Sequence, residues 1–558
     1  MFGIRGHLAK SRITDFMQVF VRNCRVAYNR AKPMDYENDA ANRNMLRNEI
    51  NVLIQKKQVI PTVIAGEEIC ANGEEQQIRM PHKHKQILAR FQYAESEHYK
   101  VAMDAAMRIR EQWITVSPKE RVEIWMKTAD LLEKEYRHRL NAAIILGQGK
   151  TCSQADEDTC ALVNFLRASG TALIKLSKRK LKNFNADEID ARFKVRAMNG
   201  FVVAIGPFNM TSISAGLAAL PALVGNAVVW KPSDSCLLSS YIVYQAFQKA
   251  GLLDGIISFL PTNDEYLLRC LRQSEYFVGV NFTGKTETFN TIWNLIRPCI
   301  RCFRNFPRLA SACGAKNFHF VHKSADVKKV VNATIDAAFI YSGQHCTACS
   351  RLYAPQSKWA EISEAMKQEL DKKNIGDPTD FSTFSSAVIN DVAFRRIINY
   401  INDAEKKEEN EIVYGGGYSS GIGYYVEPTV IVCKKPFDPL MTKEIFGPIL
   451  SVYLYKDDDV NQTFELISKT SEYAFNGAVF ARDEEVIKNS KMNLRYAASN
   501  LFINNGCRKS TNQQNLFHGT RQSGNRRGAT VLDRLIRWCS PQLIETTKIK
   551  DDECKKTC

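Results

Sequence analysis

The sequence lacks a disulfide framework. Its 16 cysteines are spread over 558 residues at no regular spacing, and no secretory signal precedes them. Free thiols in a reducing compartment are therefore expected. A zinc pattern is missing too: Cys346-Thr-Ala-Cys349 has no second Cys/His pair at zinc spacing, so no metal is expected. Nor is there an unbroken membrane-length run. Phe201–Trp230 carries no charge, but Gly206, Pro207, Asn209, Pro221, Gly225 and Asn226 cut it into short pieces. The apolar stretches GFVVAIG and NAVVWKP instead predict two buried parallel strands joined by a helix.

Compositional bias is equally absent. With 45% hydrophobic, 10% aromatic and 24% charged residues, disorder, collagen and coiled coil are excluded, and the length predicts several folded units. Acidic residues are scarce at one end only. Met1–Met34 holds seven Lys or Arg against the single Asp15, and Ile4, Leu8, Phe16, Val19 and Phe20 can share a helix face. That is the signature of a mitochondrial transit peptide over 1–34. The formal charge of +16 lies partly there and partly in 176–196. No basic face interleaved with aromatics is present, so neither nucleic acid nor membrane is expected as a partner.

Polar-faced helices are read over 38–60 and 95–175, followed by a charged, alternating hairpin or linker at 176–196. Strand-helix alternation then places strands at 200–206, 226–231, 256–260 and 277–283. A second block has strands near NFHFVH (317–322), 351–355, 425–433 and 448–455. This predicts an α/β chain of two units with helices on both faces of a sheet.

Three motifs could carry chemistry. Gly279-Val-Asn-Phe-Thr-Gly-Lys-Thr286 satisfies the P-loop pattern, but its variable positions read as strand, and no magnesium-binding Asp follows at a convincing place. GQGKT at 147–151 has Ile144 where the first glycine is required. Cys346, in SGQHCTACSR, lies in a glycine-rich turn that could present a nucleophile to a cleft; a buried inert thiol is the other reading.

The longer motifs GFVVAIGPFNMTSI, NAVVWKPSDS, GVNFTG, AKNFHFVHKSADV, SGQHCTACSRLY and KEIFGPILSVY stand in one order and spacing. Through them residues 38 to 547 resemble the aldehyde dehydrogenase superfamily, and within it the mitochondrial Δ1-pyrroline-5-carboxylate (glutamate γ-semialdehyde) dehydrogenases. The resemblance implies a Rossmann-type NAD-binding domain (35–175 and 197–313), an α/β catalytic domain (314–535) and a bridging, oligomerising β-hairpin segment (176–196 and 536–550). It also implies a homodimer or higher homo-oligomer in the mitochondrial matrix, oxidising glutamate γ-semialdehyde with NAD. Cys346 takes the nucleophile position, and Asn209 with the Cys346 backbone amide the oxyanion position. Lys231 and Ser233 fall on the adenosine ribose, Glu444 on the nicotinamide ribose, and Phe446 beside it. Thr347, Gly519, Thr520 and Ser523 match substrate positions, the last three around the α-carboxylate.

The departures are as specific as the matches. The family's EΦGGKN text reads Ala312-Cys-Gly-Ala-Lys-Asn317 here, so Ala312 stands 34 residues before Cys346 at the position of the general base. A methyl cannot take a proton from water, and this raises the alternative of a catalytically impaired paralogue that binds NAD or a partner. Ala315 replaces a glycine on the nicotinamide path, Lys285 a small residue near the pyrophosphate, and Thr347 a serine. QAEID becomes Gln154-Ala-Asp156-Glu157-Asp158. The anchor loop PFGGARASG becomes Leu516-Phe-His518-Gly-Thr-Arg-Gln-Ser-Gly524, followed by Arg526, Arg527 and Ala529.

Overall fold

A computed structural model describes residues 29–69, 73–178, 189–508, 519–525 and 530–547. Residues 1–28 of the expected leader lie outside the described part, as do 179–188 of the expected bridging segment. So do His518 of the anchor loop and the arginines and alanine at 526–529.

The charge-free stretch folds as its pieces require. Phe201–Ile205 and Ala227–Lys231 are adjacent parallel strands, buried throughout, joined by the helix Thr211–Leu223. Pro221 sits in that helix and brings no N–H to the carbonyl of Leu217. Asn281 Nδ2 supplies the missing donor at 2.9 Å. No helix among the described residues is long and apolar enough to cross a membrane.

The first seven-stranded sheet runs in the order Arg308–Ala312, Phe277–Thr283, Phe201–Ile205, Ala227–Lys231, Ile257–Phe259, Thr62–Ile64, Glu67–Ile69. The first five strands are parallel. From Phe201–Ile205 the chain builds to one side, then returns to add Phe277–Thr283 on the other. Such a reversal opens a crevice at the carboxyl ends of the strands. A second seven-stranded sheet has the order Asn410–Tyr414, Thr429–Cys433, Ile449–Tyr455, Cys349–Pro355, Asn317–Val321, Asn476–Phe480, Asn500–Ile503, parallel except for its first strand. Residues 313–316 pass directly from one sheet to the other, so the two α/β units meet beside Ala312.

Gly279 lies inside a strand, opposite Arg308, and a Cβ on it would sit 2.4 Å from the Arg308 carbonyl. The P-loop pattern is therefore sheet, not a phosphate loop. The helix expected over 38–60 stops at Gln55, and Gln58–Ile60 joins a three-stranded sheet with Lys83–Gln92 and Glu75–Met80. The β-branched Val59-Ile60 pair and the following Pro61, which disfavours helix for Ile60, account for the switch. Of the expected hairpin, Ile189–Ala197 pairs along nine positions with the C-terminal strand Cys539–Thr547.

The folded body reaches into the expected leader. Ala31 is buried, with its N–H and carbonyl both bonded to the Asn164 side chain at 3.0 and 3.1 Å. Arg167 Nη1 donates to the Asn29 carbonyl at 2.9 Å. Fully buried Asp156 accepts the Met34 N–H at 2.7 Å and holds Arg137 through two nitrogens at 2.8 Å. Breaking such a pair strands a carboxylate in the core, at a cost of about 3–5 kcal/mol. Arg137→Met should therefore lower the thermal unfolding midpoint clearly, while adding Asp156→Asn to it should recover much of the loss. The comparison of the two variants by calorimetry checks this.

Candidate active site

Cys346 sits where the second sheet begins, opposite the carboxyl ends of the first. The chain reaches it through Tyr341 and Ser342, both at φ 51°, and Gly343 at φ 67°. A Cβ on Gly343 would lie 2.2 Å from the Gly447 carbonyl, so only glycine fits. The strained pair is held by Tyr341 Oη on the Gln148 carbonyl and by the Ser342 N–H on Ser385 Oγ, each at 2.8 Å. Asn317 Nδ2 then fixes the turn itself, donating to the carbonyls of Cys346 (2.8 Å) and Ala348 (2.9 Å). Motif reading assigned Asn317 no role; only the fold shows that its side chain lies under the nucleophile.

Asn209 is buried, and one of its amide N–H groups holds the Gln344 carbonyl at 3.1 Å. A second N–H belongs to the same nitrogen. Cys346 is partly exposed to a cavity of about 540 Å³ that Ala312, Asn281 and Phe475 also line. The lining also carries charge of both signs, Lys150, Arg508, Arg534 and Arg537 with Glu157 and Asp158. Asp158 accepts from Lys150 Nζ at 2.7 Å and from the amides of Thr211 and Ser212 at 2.9 and 3.1 Å. Glu157 pairs with Arg508 at 3.0 Å.

Ala312 ends its strand with a buried methyl on the cavity wall. Among the described residues lining the cavity, the carboxylates are Glu157 and Asp158, both held by partners. Asp158 is filled by donors. His345 is a neutral imidazole, because burial, reinforced by Arg508 and Lys150, pushes its pKa down to about 3. Its Nδ1 accepts the Thr347 N–H at 3.2 Å and contacts Thr347 Oγ1 at 2.7 Å. Thr347 is thus spent on orienting His345 and does not line the cavity. Glu444 is half-buried against Gly314 and Ala315, taking the Ala315 N–H at 2.8 Å. Burial pushes its pKa up to about 7, against the pull of that hydrogen bond and of Lys316.

Of the four residues expected at the cofactor, Lys231 and Phe446 meet the turn 206–208 at the crevice, Ser233 follows Lys231, and Glu444 lies against Gly314 and Ala315. The Gly206 N–H donates to the Lys231 carbonyl at 2.9 Å. A Cβ on Gly206 would lie 2.1 Å from Ser214 Oγ, so the turn rests directly on the helix that follows. Phe208 packs edge-on against Phe446 at 5.7 Å, and Phe446 adopts φ 55°. Lys231 is buried at its strand end, with Ser233 half-buried beyond it. The helix Thr286–Ile296 opens nearby with no side chain capping it. A buried cation, an uncapped helix start, a hydroxyl and a carboxylate are the donors and acceptors that phosphates and riboses need. The residues present fit a dinucleotide.

Gly519, Thr520 and Ser523 are not brought to the cavity wall. Thr520–Arg521 pairs with Tyr473–Ala474, and Ser523 Oγ accepts the Ala474 N–H at 3.1 Å. They stand next to Phe475, which does line the cavity.

Residues 69–540 match the model of the aldehyde dehydrogenase family. The chain is 39% identical over 507 residues to the mitochondrial Δ1-pyrroline-5-carboxylate dehydrogenase of Mus musculus, covering 90% of each. Against the protein of that name from Danio rerio it is 37% identical, covering 94% of each. The NAD-bound crystal structure of the Mycobacterium tuberculosis Δ-pyrroline-5-carboxylate dehydrogenase superposes with a TM-score of 0.89 at 31% identity, covering 94% of this chain and 96% of that one. Likeness of this extent, running through both sheets and the nucleophile turn, settles the family: the chain belongs to the aldehyde dehydrogenases.

Proposed function

We propose that the chain oxidises glutamate γ-semialdehyde, the open form of Δ1-pyrroline-5-carboxylate, to glutamate with NAD in proline breakdown. The observation that carries this reading is the cavity: it joins a clamped cysteine to a wall of opposed charges, Lys150 and Arg508 with Glu157 and Asp158. A small aldehyde bearing both an ammonium and a carboxylate suits such a wall. The relatives' activity supports the same substrate.

Cys346 attacks the aldehyde carbon and forms a thiohemiacetal. The negative oxygen takes hydrogen bonds from the second Asn209 N–H and the Cys346 amide, each worth roughly 3–4 kcal/mol of barrier. Lys231, Ser233, Glu444 and Phe446 would hold NAD, which when bound would supply the hydride acceptor. Gly519, Thr520 and Ser523 match the carboxylate anchor but stand beside Phe475, off the cavity wall, so their loop would have to shift to grip the substrate. Water then hydrolyses the thioester on Cys346.

That last step is where the methyl of Ala312 favours a second reading, an acyl-enzyme that forms normally and hydrolyses slowly. The exposed Leu543 and Ile544 on the C-terminal strand support a homodimer or larger homo-oligomer through the Ile189–Ala197 and Cys539–Thr547 arm. The basic leader and the mitochondrial relatives support the matrix as its location, with cleavage ahead of Asn29, whose carbonyl Arg167 holds.

Stopped-flow NADH formation with NAD and Δ1-pyrroline-5-carboxylate tests the function. Sustained NADH release, abolished in Cys346→Ala, is the expected result; no NADH above the Cys346→Ala background, even in the first turnover, would refute it. A burst of one NADH per subunit with an acyl adduct on Cys346 identifies the slow hydrolysis. Ala312→Glu should then raise turnover by about 100- to 10,000-fold, the usual worth of a positioned base.

Glu444 gives a pH signature. Its carboxylate is the form that accepts ribose hydroxyls, and it is ionised only above about 7. NAD affinity should therefore fall as pH drops through 7, and Glu444→Gln should flatten that dependence in fluorescence titrations. The mature N-terminus of protein isolated from mitochondria, read by mass spectrometry, should lie at or before Asn29.

A further inference from the structure

Two buried thiols and an imidazole, none used in the proposed chemistry, meet directly beneath the nucleophile turn. His319 is fully buried on the strand Asn317–Val321, Cys349 opens Cys349–Pro355 with 1% exposure, and Cys507 is fully buried in the turn after Asn500–Ile503. Their three ligand atoms lie within 4.8 Å of one another. Ligands of a tetrahedral zinc, at about 2.3 Å for sulfur and 2.0 Å for nitrogen, sit roughly 3.5–3.8 Å apart. A contraction of about an ångström or less closes the set.

The imidazole is in the right tautomer. The Cys507 N–H donates to His319 Nε2 at 3.1 Å, which requires a lone pair on that nitrogen. The ring proton is then on Nδ1, facing Thr334 Oγ1 at 2.9 Å. An outer hydrogen bond on the far nitrogen is how metal-binding histidines are oriented. Each thiol also meets a carbonyl, Cys349 Sγ that of Arg351 and Cys507 Sγ that of Thr347, both at 3.4 Å.

We infer that His319, Cys349 and Cys507 form a buried site for a thiophilic divalent ion, Zn²⁺, with the Thr347 carbonyl as fourth ligand. Charge chooses Zn²⁺ over Cu⁺: two thiolates and a neutral imidazole cancel a double positive charge, leaving no net charge in the core. Binding converts two S–H groups into two Zn–S bonds and releases two protons. The ion replaces the hydrogen bond between the Cys507 amide and Nε2, and loss of the Cys507 proton frees the Thr347 carbonyl. Thr347 follows the nucleophile, and Asn317, which clamps Cys346, is two residues from His319. An ion here braces the catalytic turn from below without touching substrate. A sequence search for zinc spacing does not find the site, because its ligands come from three segments far apart in the chain.

The full-length protein, reduced and stripped with a chelator, is titrated with Co²⁺ as a spectroscopic probe and then with Zn²⁺ in competition. Expected are one Co²⁺ per chain with thiolate-to-cobalt charge-transfer bands, release of two protons, and displacement by Zn²⁺. Cys346→Ser should keep the bands, whereas Cys507→Ser and Cys349→Ser should bind at least tenfold more weakly, with circular dichroism confirming that each is folded. No bands in the wild type would overturn the proposal, as would unchanged bands in Cys507→Ser. A chain that takes up no metal after reduction yet loses two hydrogens under mild oxidation would also overturn it, showing a Cys349–Cys507 disulfide instead.

Discussion

One buried amide holds the catalytic end of this molecule together. Asn317 donates to the carbonyls on both sides of the nucleophile turn and accepts the N–H of Asn476 at 2.8 Å. Its backbone stands opposite Cys349 in the sheet. A single side chain thus ties the starts of three neighbouring strands to the loop that carries Cys346. A carbonyl left unpaired in such a place costs about 1–3 kcal/mol, so the turn has little freedom to swing. The strained φ values at Tyr341 and Ser342 are tolerated for the same reason: the structure on either side over-determines them.

The two helix starts near the site divide the electrostatic labour. The helix Thr211–Leu223 begins with the amides of Thr211 and Ser212 already bound by Asp158. Its positive end is neutralised, and an anion approaching it meets a carboxylate. The helix Thr286–Ile296 begins at Lys285 with no side-chain cap, so its amides and a lysine are left to attract phosphate. The aldehyde side and the cofactor side of one crevice are distinguished by where a single aspartate sits. The QAEID-like segment matters here less for the length of its first acid than for placing Asp158 under that helix, with Asp156 turned away into the Arg137 pair.

Much of this was legible before any coordinates. Apolar runs bounded by glycine and proline located Phe201–Ile205, Ala227–Lys231 and Phe277–Thr283, because strands buried on both faces read as continuous hydrophobic text. The motifs located Cys346, Asn209 and Glu444, because each lies within a few residues of a glycine that the backbone needs. Side-chain partnerships across distant strands were not legible: Asn317 with Cys346, Thr347 with His345, Glu157 with Arg508. No local period records them. The helix expected to reach residue 60 failed where Pro61 and two β-branched residues outweighed the preceding helical pattern. The basic run of the expected leader continues through Arg30 and Lys32, and Asn29, Ala31 and Met34 bond to the folded body.

The consequence of Ala312 follows from geometry more than from the loss of one group. A general base must be an acceptor that can reach the water attacking the thioester. Asp158 is close to the cavity but its oxygens are committed to two amides and an ammonium, and His345 has its Nδ1 lone pair turned to Thr347. Glu444 has a pKa near the operating range, yet it rests on Gly314 and Ala315, on the cofactor side of the Ala312 strand end. To serve hydrolysis it would have to release the Ala315 N–H and move toward Cys346.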